Sequence, residues 1–330
     1  MPGSIKRGVT KREKQYMIAK YYAAMFIIPR DGGVVYLFGS VKIMCTYKIL
    51  TDSCCDFPVE MYRQLDVDYV PLVLEFRGQV SNDRNDDSLK VLYDGMRAGE
   101  GAKTSAVNPD AWAGMMEPHL KAGLDVLVLA FSSGLSTTYQ SAVIAASDLA
   151  ELYPDRTIRV VDTLSASLGQ GLLVWHVCRQ RDNGATLEEA AQWAEDHKQN
   201  ICQWFTVDDL MHLKRGGRVS AATAMVGTML QIKPVLHVDE EGHLASVSKA
   251  RGRKASIEAL AKKVSELGAA YDNSTVFLSH GDCREEADQL ASILKEKYGV
   301  KEVFISYVGS VIGSHAGPGT LALFFLGDHR

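Results

Sequence analysis

Val126-Leu127-Val128-Leu129-Ala130-Phe131, followed at once by Ser132-Ser133-Gly134-Leu135-Ser136-Thr137-Thr138, is the stretch that decides the fold. Six apolar residues in a row, without alternation, predict a strand covered on both faces, as in a parallel sheet. Hydroxyls and a glycine then interrupt the run. Beyond them Leu135, Tyr139, Ala142, Val143, Ala146, Leu149 and Tyr153 recur at helical spacing. Strand, polar loop and helix make the unit from which parallel sheets with helices on both faces are built. Such a loop offers free backbone N–H groups and the positive end of a helix dipole, a setting that suits an anion. N-capping by Ser133 or Ser136 is the plainer reading of the same residues.

Upstream, Lys48-Ile49-Leu50-Thr51 reads as a strand ending in the turn Asp52-Ser53. Pro58 opens a short helix, and Tyr69 to Glu75 reads as one further strand. Asn108-Pro109-Asp110 resembles a helix start, with Trp112, Met115, Met116 and Leu120 on one face. Downstream, Thr157 to Val161 continues the β-then-α rhythm, which loosens near residues 165–185. Ile201–Val207, Pro234–Val238, Leu244–Ser248, Thr275–Ser279, Glu302–Tyr307 and Leu321–Leu326 then read as strands. Ile257, Leu260, Ala261, Val264 and Leu267 mark one helix, and Ala287, Leu290, Ile293 and Leu294 another. The expected fold is α/β: a parallel-sheet domain over 44–170 with helices on both faces, then an α+β domain over 171–330.

Residues 1–43 differ from the rest. Lys6, Arg7, Lys11, Arg12 and Lys14 give a basic start, and the apolar stretch from Met17 to Phe38 is interrupted by Lys20 and by Pro29-Arg30-Asp31-Gly32-Gly33. That leaves no window of about 18 apolar residues and no signal-peptide layout. The functional domain is expected to begin near Met44, with 1–43 an extension outside the fold. An amphipathic helix for a membrane or partner is the alternative.

Composition narrows the function classes. The chain has 330 residues, with 36 Lys plus Arg against 40 Asp plus Glu, a net charge of −4. That balance argues against a general nucleic-acid binder. The six cysteines have no C-x-x-C spacing, so reduced thiols and a cytoplasmic location are expected. The nine histidines do not fall at ligand spacings around them, so no metal is expected. A redox or metal role for Cys54 and Cys55 is the least favoured class, because adjacent cysteines make a strained disulfide.

Two further segments could carry chemistry. Gly309-Ser310-Val311-Ile312-Gly313-Ser314-His315-Ala316-Gly317-Pro318-Gly319 surrounds one histidine with glycines and reads as a loop. His315 is placed there to hydrogen-bond an acidic head group or to move a proton. Leu213-Lys214-Arg215-Gly216-Gly217-Arg218 and Lys249-Ala250-Arg251-Gly252-Arg253-Lys254 are basic clusters in an acidic chain, read as a docking patch or phosphate contact. Other signals fail. Gly101-Ala102-Lys103-Thr104-Ser105 lacks the P-loop register. Gly313-Ser314-His315-Ala316-Gly317 has histidine where a nucleophile elbow needs serine. No dinucleotide fingerprint follows the first strand, and nothing pairs Asp52 with Asp56 as acid and base.

In order and spacing, the chain resembles the DegV family, the FakB-type fatty-acid-binding proteins, from about Tyr47 to Gly327. The residues that carry the resemblance are Thr51-Asp52-Ser53 with Asp56, Thr104-Ser105, Ser132-Ser133-Gly134-Leu135-Ser136, Leu213 to Arg218, Ile232-Lys233-Pro234 and His315-Ala316-Gly317-Pro318-Gly319. The resemblance implies a carrier without catalysis of its own. It would hold one long-chain fatty acid as ligand, with no cofactor, and present the carboxylate to an ATP-dependent fatty acid kinase partner. In those terms Thr104, Ser105 and the loop of Ser132, Ser133 and Ser136 bind the carboxylate, assisted by His315, with Ser136 and Ser133 the first choices. Arg251 would reach the head group, and Arg215 and Arg218 would contact the partner. Departures from the family pattern are Cys54-Cys55, Thr137, and Ala106-Val107-Asn108-Pro109; they bear on the shape of the pocket. The alternative is an enzyme, a phosphotransferase or acyl hydrolase, using Ser136 and His315.

Overall fold

The computed structural model describes residues 25–30, 33–38, 46–81, 86–219 and 232–330. Met1–Cys45 and Thr46–Arg330 are separate units. In the first, β1 (Met25–Arg30) pairs antiparallel with β2 (Gly33–Phe38). The basic start and Met44, where the sequence reading begins the functional domain, lie outside the described residues.

The second unit opens with the parallel sheet. β3 (Tyr47–Asp52), β4 (Val67–Val70), β8 (Asp125–Ala130) and β9 (Ile158–Asp162) lie in the order β4-β3-β8-β9, every pair parallel. Val126, Val128 and Ala130 pack in one cluster with Trp112, Met116, Ala142 and Leu149. Leu127 and Leu129 are equally buried, and strand alternation points them to the other face. The unbroken apolar run is therefore the signature of a strand with no solvent side. Short helix α1 (Val59–Gln64) follows Pro58.

One predicted strand proves to be two. Tyr69 to Glu75 is divided at Pro71-Leu72: Val70 ends β4, and β5 (Val73–Phe76) belongs to a three-stranded sheet with β6 (Gln79–Ser81) and β7 (Ala102–Ser105). Proline has no N–H for a ladder, and the chain changes sheets there. Helix α2 (Asp86–Arg97) lies between β6 and β7 in the sequence. Its Tyr93 hydroxyl donates to Val308 O at 2.8 Å. Helix α3 (Pro109–Lys121) starts as expected, with the Asn108 side chain accepting from Ala111 N at 2.8 Å. Helix α4 (Thr138–Leu152) follows the Ser-rich loop.

Two helices then pack back to back. α5 (Leu168–Asp182) is buried on most sides, and α6 (Leu187–His197) is closed by a capping box between Thr186 and Glu189. The remaining strands are β10 (Ile201–Thr206), β11 (Ile232–Val238), β12 (Leu244–Arg251), β13 (Thr275–His280), β14 (Glu302–Tyr307) and β15 (Leu321–Leu326). They form one sheet in the order β12-β11-β10-β15-β13-β14, in which only β13 and β14 are parallel. Its helices are α7 (Leu210–Arg215), α8 (Arg253–Leu267), α9 (Arg284–Tyr298) and α10 (Ser310–Ala316). Leu321, Leu323 and Phe325 pack with Leu260, Val264, Leu290 and Leu294 of α8 and α9. Strand alternation turns Ala322 and Phe324 to the opposite face, which is a cavity wall.

Candidate functional site

The cavity has a volume of about 480 Å³. That lies within the range of about 300–1,000 Å³ usual for small-molecule sites. Its floor is the inner face of the six-stranded sheet, where Gln203 and Phe205 of β10 stand beside Phe324 and Ala322 of β15 in register. Leu72, Phe131, Leu135, Val311 and Ile312 supply further apolar wall.

Polar groups converge at one side. The Thr104 hydroxyl and His315 Nε2 are 2.8 Å apart, uniting β7 with α10 across 211 residues of sequence. Arg218 also lines the cavity, and its Nε–H donates to Leu135 O at 3.2 Å. Burial pushes the His315 imidazole down to about 4, with the nearby Arg218 charge acting in the same direction. His315 is therefore neutral near pH 7. Gly216 explains how the ring fits: a Cβ there would lie 2.3 Å from His315 Nδ1. In the basic segment the glycine thus serves a close approach to the histidine.

The Ser-rich loop divides its labour. Ser132 is fully buried and does not line the cavity; its hydroxyl donates to Gly242 O at 2.9 Å and accepts from Gly134 N at 3.2 Å. A Cβ at Gly134 would stand 2.9 Å from Gly242 O, so the loop lies directly on the β11–β12 turn. Ser133 and Ser136 do line the cavity. Ser133 N–H donates to Asp162 Oδ1 at 3.2 Å. Ser136 Oγ takes the Thr138 N–H at 3.2 Å and shares a 2.8 Å hydrogen bond with the Thr138 hydroxyl. It therefore satisfies the first N–H of α4 from the residue before the cap, Thr137, while lining the cavity. Ser105 and Thr137 are exposed lining residues.

Two basic residues sit differently from their expected places. Arg251 is exposed at the end of edge strand β12 and is not part of the lining; its neighbour Ala250 takes the buried side, and period-two alternation turns Arg251 outward. Arg218, expected at a partner surface, is the guanidinium that lines the cavity. Arg215 is exposed on α7, its Nη2 2.9 Å from His212 Nδ1. Asp52 is structural: its carboxylate accepts from Cys54 N at 2.9 Å and Phe131 N at 2.7 Å, pinning the ends of β3 and β8 together.

Sequence reasoning missed a second polar group on the lining. Ser167 Oγ donates to Asp56 Oδ2 at 2.6 Å and lies 3.0 Å from Ser279 Oγ, and both serines border the cavity with Gln203. Ser167, Gln203 and Ser279 stand in three segments with no shared motif, so no local signal marks them; Asp56 alone falls in a family motif, Thr51-Asp52-Ser53 with Asp56. Among the described residues no three metal-ligating side chains converge, and no helix is long and apolar enough to cross a membrane.

The fold and site define a protein built on a parallel and a mixed sheet, with an apolar, ligand-sized cavity bordered by hydroxyls, an imidazole and a guanidinium. The family profile described as "Uncharacterised protein, DegV family" matches residues 46–328, and the chain belongs to the DegV family. A DegV domain-containing protein of Clostridium perfringens is 43% identical over 289 residues, covering 87% of this chain and 99% of the relative. Among solved structures, a DegV family protein of Thermus thermophilus described for its fatty acid binding superposes with a TM-score of 0.76 at 30% identity, covering 86% and 99% of the two chains. The Fatty Acid Kinase B3 protein of Streptococcus pneumoniae, loaded with linoleic acid, superposes with a TM-score of 0.75 at 25% identity, covering 86% and 100%.

Proposed function

We propose that the chain is a carrier that binds one long-chain fatty acid and presents its carboxylate to an ATP-dependent kinase partner, which forms the acyl phosphate. The observation that carries this reading is an apolar cavity bordered by the Thr104–His315 pair at 2.8 Å. With its proton on Nε2, neutral His315 donates to Thr104 Oγ1. The threonine hydroxyl proton is then free to point at a carboxylate oxygen. Ser136 adds a second hydroxyl, and Arg218 offsets the buried negative charge. Burial of the acyl chain is worth about 0.8 kcal/mol per methylene, so a dozen give roughly 10 kcal/mol before ordering costs. Affinity comes mainly from the tail, and the hydroxyls fix which end lies at the mouth. Arg215, exposed on α7, belongs to the partner-facing surface in this reading.

The enzyme alternative finds less support. Its nucleophile, Ser136, is hydrogen-bonded to Thr138, while His315 Nε2 is engaged by Thr104. A serine nucleophile needs its base within hydrogen-bond reach. Native mass spectrometry before and after organic extraction tests the proposal. One co-purifying fatty acid per chain, lost on extraction and regained on adding oleic acid, is expected. A protein that is empty as purified and takes up no added fatty acid would overturn it.

A further inference from the structure

Arg330 is an unusual buried cation. Its residue exposure is 4%, and its guanidinium is held chiefly by backbone carbonyls. Nη2 donates to Thr163 O at 3.0 Å, Ser165 Oγ at 3.1 Å and Lys198 O at 2.7 Å; Nη1 donates to Leu164 O and, at 3.3 Å, to Asp239 O. Three separate segments thus meet on one side chain: the 163–165 linker after β9, the turn before β10, and the β11–β12 turn. Burial lowers its pKa to about 10, while Cys202, Asp162, Asp239 and Glu240 act in the opposite direction.

Two of those segments hold the Ser-rich loop. Ser165 O accepts from Ser132 N at 3.1 Å, and Gly242 O of the β11–β12 turn accepts from the Ser132 hydroxyl. Asp162 Oδ1 accepts from both Ser133 N and Leu164 N, at 3.2 and 3.0 Å. The linker continues directly into cavity wall at Ala166 and Ser167. Positive φ at non-glycine residues occurs in the linker at Leu164 (49°) and just beyond it at Ser167 (54°). Such conformations persist only where surrounding contacts over-determine them. Arg330 supplies several of those contacts, and each bond from a cation is stronger than a neutral one.

We propose that Arg330 is a positioning residue for the head-group site: by clamping the 163–165 linker and the β11–β12 turn together, it fixes the Ser132–Ser136 loop in the geometry that receives a carboxylate. This rests on the fatty-acid reading above. It predicts that Arg330 governs preference for a charged head group rather than affinity for the tail.

The test compares oleate with oleyl alcohol, which share a chain and differ at the head. In Arg330→Ala, oleate affinity is expected to fall about tenfold while oleyl alcohol changes by less than about threefold. Arg330→Lys should recover part of the loss, since an ammonium cannot span three segments. Asp162→Asn keeps an acceptor oxygen but removes the charge facing Arg330, and should shift the same ratio less. These two milder variants decide the matter if the alanine variant does not fold. Without ligand, amides in 132–136 and 163–167 should exchange faster in Arg330→Lys than in the unaltered protein. Equal weakening of oleate and oleyl alcohol, or unchanged exchange in both segments, would overturn the clamp. An unaltered protein that binds the alcohol as tightly as the acid would instead overturn the head-group reading, and the exchange result would still judge the clamp by itself.

Discussion

The two sheets meet the cavity in different ways. The parallel sheet has helices on both faces, so only its strand ends are available. It contributes the loops after β8 and β9, with their hydroxyls and amides, as open α/β sheets do at their carboxyl ends. The six-stranded sheet packs α8 and α9 on one face and gives the inner part of the other to the cavity. It contributes a floor of side chains at period two. In the proposed reading the loops after β8 and β9 add hydroxyls to the Thr104–His315 pair of β7 and α10, and the six-stranded sheet supplies room for a tail. The division follows from strand direction: a sheet of crossovers hides its faces, whereas antiparallel hairpins need cover only one.

The sharpest way to break this comparison uses neighbouring residues of β15. Ala322 faces the cavity and Leu323 faces α8 and α9. Ala322→Phe fills the floor and is expected to weaken fatty-acid binding by at least about 100-fold, with little change in melting temperature. Leu323→Ala should do the reverse, costing about 2–5 kcal/mol of stability while the folded fraction still binds. Titration calorimetry and thermal unfolding on both variants measure this. If both substitutions chiefly changed stability, the floor assignment would fail.

Legibility cut across that divide, since Tyr69–Glu75 beside the parallel sheet is two strands while two strands of the six-stranded sheet have their expected ends. The parallel sheet announced itself because a strand buried on both faces is apolar at every position, as Val126 to Ala130 is. The ends of β14 and β15 match the expected Glu302–Tyr307 and Leu321–Leu326. Helix α5 gave no helical stripe, since Leu168 to Val174 are all buried and no polar face sets a period. In the sequence helix α10 reads as a loop, because Gly309, Gly313 and Gly317 surround His315. Gly313 is in fact inside the helix, where a Cβ would meet the Tyr93 hydroxyl at 2.3 Å. Packing selects that glycine, and packing is invisible in one sequence. The serines and His315 stood out as loop chemistry. Arg330 did not, because its partners are backbone carbonyls that any sequence possesses.

Head-group variants sharpen the other half of the comparison. Thr104→Ala removes a hydroxyl next to the proposed carboxylate and should weaken binding about tenfold, the usual worth of one hydrogen bond to a charged group. Gly216→Ala leaves every polar atom in place but drives a methyl into His315, and a several-fold loss is expected from displacement of the ring alone. Both variants should retain their preference among chain lengths, because neither touches the floor. A changed chain-length preference in Thr104→Ala would show that head and tail are not separately specified.

The smallest effect concerns acid. His176, His280 and His315 are each pushed down to about 4, burial being the main cause in every case. Unfolded, each would titrate near 6.5, so as pH falls from 6.5 towards 4 the unfolded chain binds protons that the folded chain refuses. Stability is therefore full above pH 6.5, declines through that window, and levels off with respect to these groups below pH 4. Each histidine is worth about 1–2 kcal/mol across the window once solvent relaxation is allowed for. His280 cannot be relieved by ligand: its Nδ1 accepts from Cys283 N at 3.3 Å, and it does not line the cavity. His315 can be, because an anionic carboxylate beside it favours the protonated ring. Fatty-acid-bound protein should thus lose less stability than empty protein between pH 6.5 and 4, and His315→Gln should abolish that difference while the contribution of His280 remains. Equal acid sensitivity of bound and empty protein would place the carboxylate away from His315, and would reverse the direction in which the cavity is read.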